Sequence, residues 1–425
     1  MQNPSREQHS ANPYYLATLS KLQANQAIVA QHAIAALDGQ VLVTGGSPLQ
    51  HKHVRLLEQQ RLRSPLEATL SLPGFQAHRL LQLRCESLLA EQPLLRALLE
   101  KTTHRHACHA ILENLPLNHA LSLFLAMLEQ QGMLDHGMLC CLISLGLALR
   151  TNQPGILLEQ IGLAALFHDI GELYLAPRQQ QQGPALWRHR MAHPLIGYRQ
   201  MLQLGQHKQL ESVAQAILQH HERLDGSGYP RREKEKQLGV AGQLIAVADL
   251  ASQLILHKNH PYHRLDIALR IVPGEFHRPS VSVMNQVLRQ LGRENAEAMT
   301  GSPAMELLHG LLKHIGEITH LLLNLQEETL SPEGSAALQR CLSLFDIIQR
   351  SLFSTGMQTG HLEGQDDDVQ REILLVCQEI AWRLRNLGRD LSLTQDKLGP
   401  DDAMLFQELS SHLLNSLPEQ AQSGW

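Results

Sequence analysis

The sequence predicts a mainly α-helical protein with a small β-containing module at its N-terminal end and a helical bundle at its C-terminal end. Three observations lead there. Between Glu91 and about Gly292, apolar residues recur at helical spacing between Pro and Gly breaks. The same periodicity returns in four stretches, near 304–326, 334–353, 368–388 and 401–416. Aromatic residues make up only 4% of a chain that is 43% hydrophobic, which suits Leu/Ala-rich helical packing.

At 425 residues the chain exceeds one ordinary core, so it is divided here into three parts, 1–90, 91–300 and 301–425. The first part holds short β-prone pieces, Ala27-Ile28-Val29-Ala30 and Val41-Leu42-Val43-Thr44, around the turn signal Asp38-Gly39. Gly45-Gly46-Ser47 then leads into a helical pattern from His53 to Arg63, and Leu72-Pro73-Gly74 punctuates the chain. In the middle part the clearest helices run from Leu157 to His168, Glu211 to His221 and Ala241 to Leu256. Gly301-Ser302-Pro303 marks the next boundary, and polar Thr355 to Asp368 reads as a loop within the bundle.

Composition removes several function classes. A net charge of -5 offers no broad basic face for DNA or RNA. Six cysteines without a CxxC pair fit reduced thiols better than a disulfide framework. Met1 to Ser10 is polar, unlike a signal peptide, and the apolar run Met138 to Leu149 is too short for a membrane span. A cytoplasmic protein is expected.

Histidine is the anomaly, at 25 residues. The most telling run is His220-His221-Glu222-Arg223-Leu224-Asp225-Gly226-Ser227-Gly228-Tyr229-Pro230: two adjacent imidazoles close a helical pattern just before a turn-rich loop. About fifty residues upstream stands a second junction, His168-Asp169-Ile170-Gly171. His136, Cys140, Ile143 and Leu147 share one apolar helix face, as do Leu157, Ile161, Ala164 and His168. Asp249 is the only formal charge between Ala241 and Leu256, where a bare carboxylate would cost several kcal/mol. Singly, each has a plain alternative: a core histidine with its hydrogen bonds satisfied, or an aspartate paired with a buried arginine. Jointly they point to a metal site built at helix ends, and such a site suits phosphoester hydrolysis.

Over roughly residues 125–295 the sequence resembles the HD-GYP subgroup of the HD-domain metal phosphohydrolases, and 27–70 looks like the region often joined to it. His136 matches the opening histidine, His168-Asp169 the doublet, His193-Pro194 with Gly197 the next motif, then His220-His221-Glu222, the loop Asp225 to Pro230, and Ala246-Val247-Ala248-Asp249. The resemblance implies an HD-type helical domain whose metal ligands are His136, His168, Asp169, His193, His220, His221 and Asp249, with Asp169 bridging. It implies two divalent ions, iron or manganese, which imidazole and carboxylate donors also favour. It further implies hydrolysis of cyclic di-GMP to linear pGpG and/or GMP through a metal-bridging hydroxide. Asp169 and Glu172 are then the candidate catalytic residues. Arg223, Asp225, Gly228, Tyr229, Pro230, His260 and His263 are the candidate substrate-binding residues. Diguanylate cyclase-type signalling proteins and a second copy of the chain are the implied partners.

Three departures qualify the resemblance. Glu172 stands where the family has Lys, and a carboxylate repels phosphate unless it binds metal or points away. His260-Pro261-Tyr262-His263 replaces an Arg-Pro-Tyr-Arg/Lys run, and imidazole replaces guanidinium only partly near neutrality. Gly132 occupies the position of a glutamate found in trinuclear members, which favours two metals. The competing reading is a metal-bound cyclic-dinucleotide receptor with weak or no turnover. His104, His106 and His109 read more simply as a polar helix face than as a metal patch, His314 and His320 lack supporting context, and Cys140-Cys141 reads as packing.

Overall fold

The computed structural model describes residues 9–176, 187–188, 190–204, 208–292, 304–357 and 367–416. Among these residues lie seventeen α-helices and six short strands, so the chain is mainly α. The helical breaks expected at Gly301-Ser302-Pro303 and through most of Thr355 to Asp368 fall outside the described residues.

The strands are β1 (His9–Ser10), β2 (Val29–Ala30), β3 (Ile34–Ala35), β4 (Val41–Val43), β5 (Arg61–Leu62) and β6 (Leu70–Ser71). They pair antiparallel as β1 with β5, β2 with β6 and β3 with β4. In register, Leu62 faces His9, Leu70 faces Ala30 and Val43 faces Ile34. Both β-prone stretches seen in the sequence contribute strands. The helix expected from His53 to Arg63 instead runs His51–Gln59 (α2), because Gln60 turns extended and Arg61–Leu62 are drawn into pairing with β1.

The chain divides into two compact units: Met1–Gln181 with His189–Leu256 and Phe276–Leu291, and Gln182–Arg188 with His257–Glu275 and Gly292–Trp425. This differs from the three-part division drawn on sequence, since residues 1–90 share a unit with the middle helices. The physical reason is a shared aromatic core. Helix α1 (Pro13–Gln23) is capped by Asn12, whose side chain accepts from the Tyr14 and Tyr15 amides. It presents Tyr15 to Phe124 and stacks it on Tyr174, with ring centroids 6.1 and 5.1 Å apart. The Tyr174 hydroxyl donates to Glu67, and Asn12 donates to the Tyr174 carbonyl.

The first unit continues with α3 (Ala77–Glu91), α4 (Pro93–Leu98), α5 (Thr102–Asn114), α6 (His119–Gln130), α7 (Leu134–Arg150), α8 (Gly155–Leu166), α9 (His193–Gln203), α10 (Lys208–Gln219) and α11 (Val240–His257). Helix α7 packs on α8, α8 on α10, and α10 on α9. Helix α11 is long and apolar enough to cross a membrane, yet two-thirds of it (67%) is buried inside the unit. It serves as a core helix. Helix α13 (Arg278–Leu291) packs on α4 and α7.

The second unit contains α12 (Pro261–Arg270), α14 (Ala304–Glu327), α15 (Pro332–Ser354), α16 (Asp367–Gln395) and α17 (Pro400–Leu414). Its core interleaves Leu311, Ile318, Phe345, Ile380, Leu384 and Phe406 from these helices. The four helical stretches near the C-terminus were legible from periodicity.

Candidate metal centre

Six of the seven candidate ligands sit at helix ends. His136 is the third residue of α7, which starts after a left-handed turn at Gly132, φ 71°. His168 and Asp169 follow the end of α8 and lead into a 3-10 turn, Ile170–Tyr174. His193 opens α9, where Pro194 needs no amide partner. His220 and His221 follow α10 directly. Asp249 lies mid-way along α11 and is 2% exposed. Glycine makes the convergence feasible: a Cβ on Gly171 would stand 2.0 Å from the His193 carbonyl oxygen.

These side chains meet in two adjoining groups. His136, His168 and Asp249 form one, and Asp169, His193, His220 and His221 the other, with the ligand atoms of each group within 4.8 Å of one another. In the first, His136 Nε2 is 3.1 Å from both His168 Nε2 and Asp249 Oδ1. In the second, His193 Nε2 is 3.1 Å from His220 Nε2. Asp169 joins them. Its Oδ2 is 3.5 Å from the Nε2 atoms of His136 and His168, and its Oδ1 is 3.3 Å from His193 Nε2 and 3.8 Å from His220 Nε2. His221 Nδ1 lies 3.6 Å from Asp249 Oδ2.

The outward ring nitrogens decide the tautomers. His168, His193 and His220 each place Nδ1 against the carbonyl three residues earlier, those of Ala165, Arg190 and Ile217, at 2.7, 2.5 and 2.6 Å. His136 Nδ1 meets Ser252 Oγ at 2.9 Å, and that hydroxyl donates to the Asp249 carbonyl. Each Nδ1 therefore carries its proton, and each Nε2 turns a lone pair inward. Two lone pairs 3.1 Å apart repel unless a positive charge sits with them: a proton in the metal-free protein, a metal ion in the loaded one. The donors fit divalent cations, and neither group contains a thiolate.

Electrostatics agree. Burial alone would lift the Asp249 carboxyl, but hydrogen bonds with His136 and His168 hold it well below the usual range. Burial likewise opposes ionisation of Asp169, and His168 and His193 overcome it. Burial disfavours the charged His168 ring, yet Asp169, Cys140 and Asp249 raise it well above 6.5. The carboxylates and imidazoles of the cluster thus favour each other's charged forms.

The family model described as HD domain matches residues 118–270, a span holding all seven candidate ligands. This stretch is similar to the HD-domain family. The chain is 32% identical over 136 residues to a cyclic di-GMP phosphodiesterase of Thermotoga maritima, covering 30% of this chain and 36% of that protein. It is 31% identical over 134 residues to the cyclic di-GMP phosphodiesterase PA4108 of Pseudomonas aeruginosa, covering 30% of this chain and 31% of that one. A 3'3'-cGAMP-specific phosphodiesterase of Vibrio cholerae is 32% identical over 121 residues, 27% of this chain and 25% of its own length. The chain thus spans about a third of the length of the first two relatives. Among solved structures, Bd1817 of Bdellovibrio bacteriovorus aligns over 67% of this chain and the whole of its own, at 16% identity and a TM-score of 0.34.

Beside the HD-domain cage, the loop after His221 is folded against it. Tyr229 stacks on His221 with centroids 4.6 Å apart. A Cβ on Gly228 would meet Glu222 Cα and the Arg223 amide at 2.5 Å, so only glycine passes there. Asp225 accepts from the Ser227 amide, which closes the turn. Arg223 donates to the His220 and Glu222 carbonyls and lies 4.7 Å over the Phe276 ring. Pro230 follows Tyr229 through a cis peptide bond.

The remaining candidates lie outside the two metal-capable groups. Glu172 Oε1 lies 3.5 Å from His193 Nδ1, the nitrogen facing away from the cage. His260 and His263 belong to the second unit, at the start of α12. His104, His106 and His109 lie on α5 and join no metal-capable group among the described residues.

Four positions were given no role in the sequence reading, Glu222 appearing there only as part of a motif. Glu222 accepts the Arg231 and Glu233 amides at 2.6 and 3.0 Å, pinning both sides of the loop's exit. Gln219 accepts the Gly239 amide and donates to Glu233. Ser252 anchors His136, and Gln253 donates to Asp249 Oδ1 at 2.8 Å. Ser252 and Gln253 follow Asp249 by three and four positions, a spacing that could have singled them out.

Proposed function

We propose that the first unit is a metal-dependent phosphodiesterase that hydrolyses cyclic di-GMP to linear pGpG and/or GMP. One observation carries the reading: Asp169 places one oxygen toward the His136/His168 pair and the other toward the His193/His220 pair. His136, His168 and Asp249 would hold one divalent ion, His193, His220 and His221 the other, and Asp169 both. Iron or manganese suits these donors. When bound, such ions supply Lewis acidity and a water of lowered pKa for attack at a phosphodiester.

The protein's own residues do the positioning. Backbone carbonyls of Ala165, Arg190 and Ile217 fix three rings, so these three imidazoles are already oriented before substrate arrives. Tyr229 and Arg223 offer a ring, a hydroxyl and a positive charge beside the cage, suited to a guanine and its phosphate. The relatives' names divide between cyclic di-GMP and 3'3'-cGAMP, which supports a cyclic purine dinucleotide as the substrate class. Partners of the diguanylate cyclase type, a homodimer and a cytoplasmic setting remain part of the same proposal.

The test is protein loaded with manganese or iron and incubated with cyclic di-GMP. Linear product on chromatography supports the enzyme. Tight binding without product supports the second reading, a metal-bound receptor. One observation favours that reading: Glu172, in the position of the family's phosphate-facing lysine, brings no positive charge. Protein that takes up no metal overturns both.

A further inference from the structure

We infer that Glu172 is a positioning residue for the second metal subsite, acting through His193 rather than on substrate. The inference rests on the metal reading above and concerns the chain's departure from the family pattern.

Glu172 stands in the 3-10 turn Ile170–Tyr174, three residues after Asp169. A helical turn of that kind carries residue i+3 back over residue i, so the position is close to the cage by construction. The carboxylate nevertheless does not enter the cage. Its Oε1 lies 3.5 Å from His193 Nδ1, on the outer edge of the ring, whereas His193 Nε2 faces Asp169 and His220. The side chain is 12% exposed, so this charge is poorly screened by water.

His193 is therefore held at its outer nitrogen by two groups. The Arg190 carbonyl accepts the Nδ1 proton at 2.5 Å. The Glu172 charge, beyond direct hydrogen-bond reach, polarises the same N–H toward the outside. Electron density shifts inward to Nε2, which makes it a better donor to a cation. His168 and His220 have the carbonyl contact, and no carboxylate pairs with their Nδ1 atoms among the described residues. A lysine at position 172 would reverse the effect at His193. A carboxylate behind a metal-binding imidazole is a known means of raising ligand basicity, and loss of such outer partners typically costs about 10–100-fold in metal affinity.

The experiment measures metal rather than turnover. Wild type, Glu172→Gln, Glu172→Asp and Glu172→Lys are stripped, titrated with manganese, and their two binding steps and final metal content determined. Thermal stability with and without manganese is followed in parallel. The expected result is one step unchanged and the other, taken as the His193 subsite and called the second step, weakened about tenfold or more in Glu172→Gln. Glu172→Lys weakens it further, and Glu172→Asp partly restores it. Second-step affinity equal to wild type in both Glu172→Gln and Glu172→Lys overturns the inference while leaving the metal reading intact. So does Glu172→Lys gaining turnover at unchanged metal content, because the position would then face substrate. Wild type that takes up no manganese overturns the metal reading and this inference together.

Discussion

Gly171 runs so close to His193 that a single added carbon would lie 2.0 Å from the His193 carbonyl oxygen and 2.9 Å from its Cα. The contact locks the turn carrying Asp169 to the start of α9, so the spacing of the two metal subsites depends on a missing side chain. Gly171→Ala must push these backbones apart. Overpacking of this kind costs about 1–3 kcal/mol or more. The variant should melt lower and lose metal from the His193 subsite before the His136 subsite, as read by thermal denaturation and metal analysis.

Asp169 touches both halves of the cage, and no other ligand does so symmetrically. Asp169→Ala should therefore abolish loading of both metals and turnover together. His136→Ala should weaken only the first subsite. Elemental analysis of the two purified variants separates these outcomes. Full activity in Asp169→Ala would refute the ligand assignment.

The metal-free cluster predicts a stability maximum near pH 6.5. Burial pushes His168 and His193 down, but neighbouring carboxylates lift both above 6.5. Their contribution is complete below that value and fades as pH rises through the folded-state pKa values. Burial and the neighbouring histidines push His220 down to about 3, and burial with His220 sends His221 well below 6.5. Those two stay neutral in the fold, so acid below 6.5 favours the unfolded chain, which takes up more protons. Melting temperature against pH in chelator should peak in between. Metal displaces the protons held between facing Nε2 atoms, so manganese binding should release protons and tighten as pH rises. A weakly buffered titration detects the release.

Glu222 predicts a different phenotype. Its carboxylate holds the Arg231 and Glu233 amides, on either side of Arg232 at the loop's exit. Charge-assisted bonds of this sort contribute about 1.5–3 kcal/mol each. Glu222→Ala should loosen the Asp225–Pro230 loop and raise KM for cyclic di-GMP, with both metals retained.

The residues that converge were legible in the sequence because helix ends carry local signals: an apolar repeat closing on His or His-Asp, then Gly or Pro. The sequence showed the four C-terminal helices for the same reason of periodicity. What it could not show depends on contacts far apart in the chain. The strand at Arg61–Leu62 exists through pairing with His9–Ser10, and the N-terminal part joins the first unit through Tyr15 meeting Phe124 and Tyr174. The outward turn of Glu172 was equally hidden. Position in a motif told which residue stood there, but not which edge of His193 it faced.

The second unit allows a prediction independent of metal. Arg383 of α16 lies between Glu275 and Glu379, donating to both and to the Ala268 carbonyl at 3.2 Å, and all three charged side chains are buried. Burial pushes the Glu379 carboxyl up, and Arg383 only partly opposes it. Removing the guanidinium strands two carboxylates away from water, a loss of about 3–5 kcal/mol. Arg383→Ala should therefore lower the melting temperature markedly while leaving the metal content of the first unit unchanged. Mild acid should recover part of the loss, since the Glu379 carboxyl, with its raised folded-state pKa, takes up a proton preferentially in the folded state. Arg383→Ala paired with Glu275→Gln and Glu379→Gln should recover stability at neutral pH as well, because no stranded charge remains. A triple variant as unstable as Arg383→Ala alone would show that guanidinium packing, rather than charge balance, holds this part of the unit together.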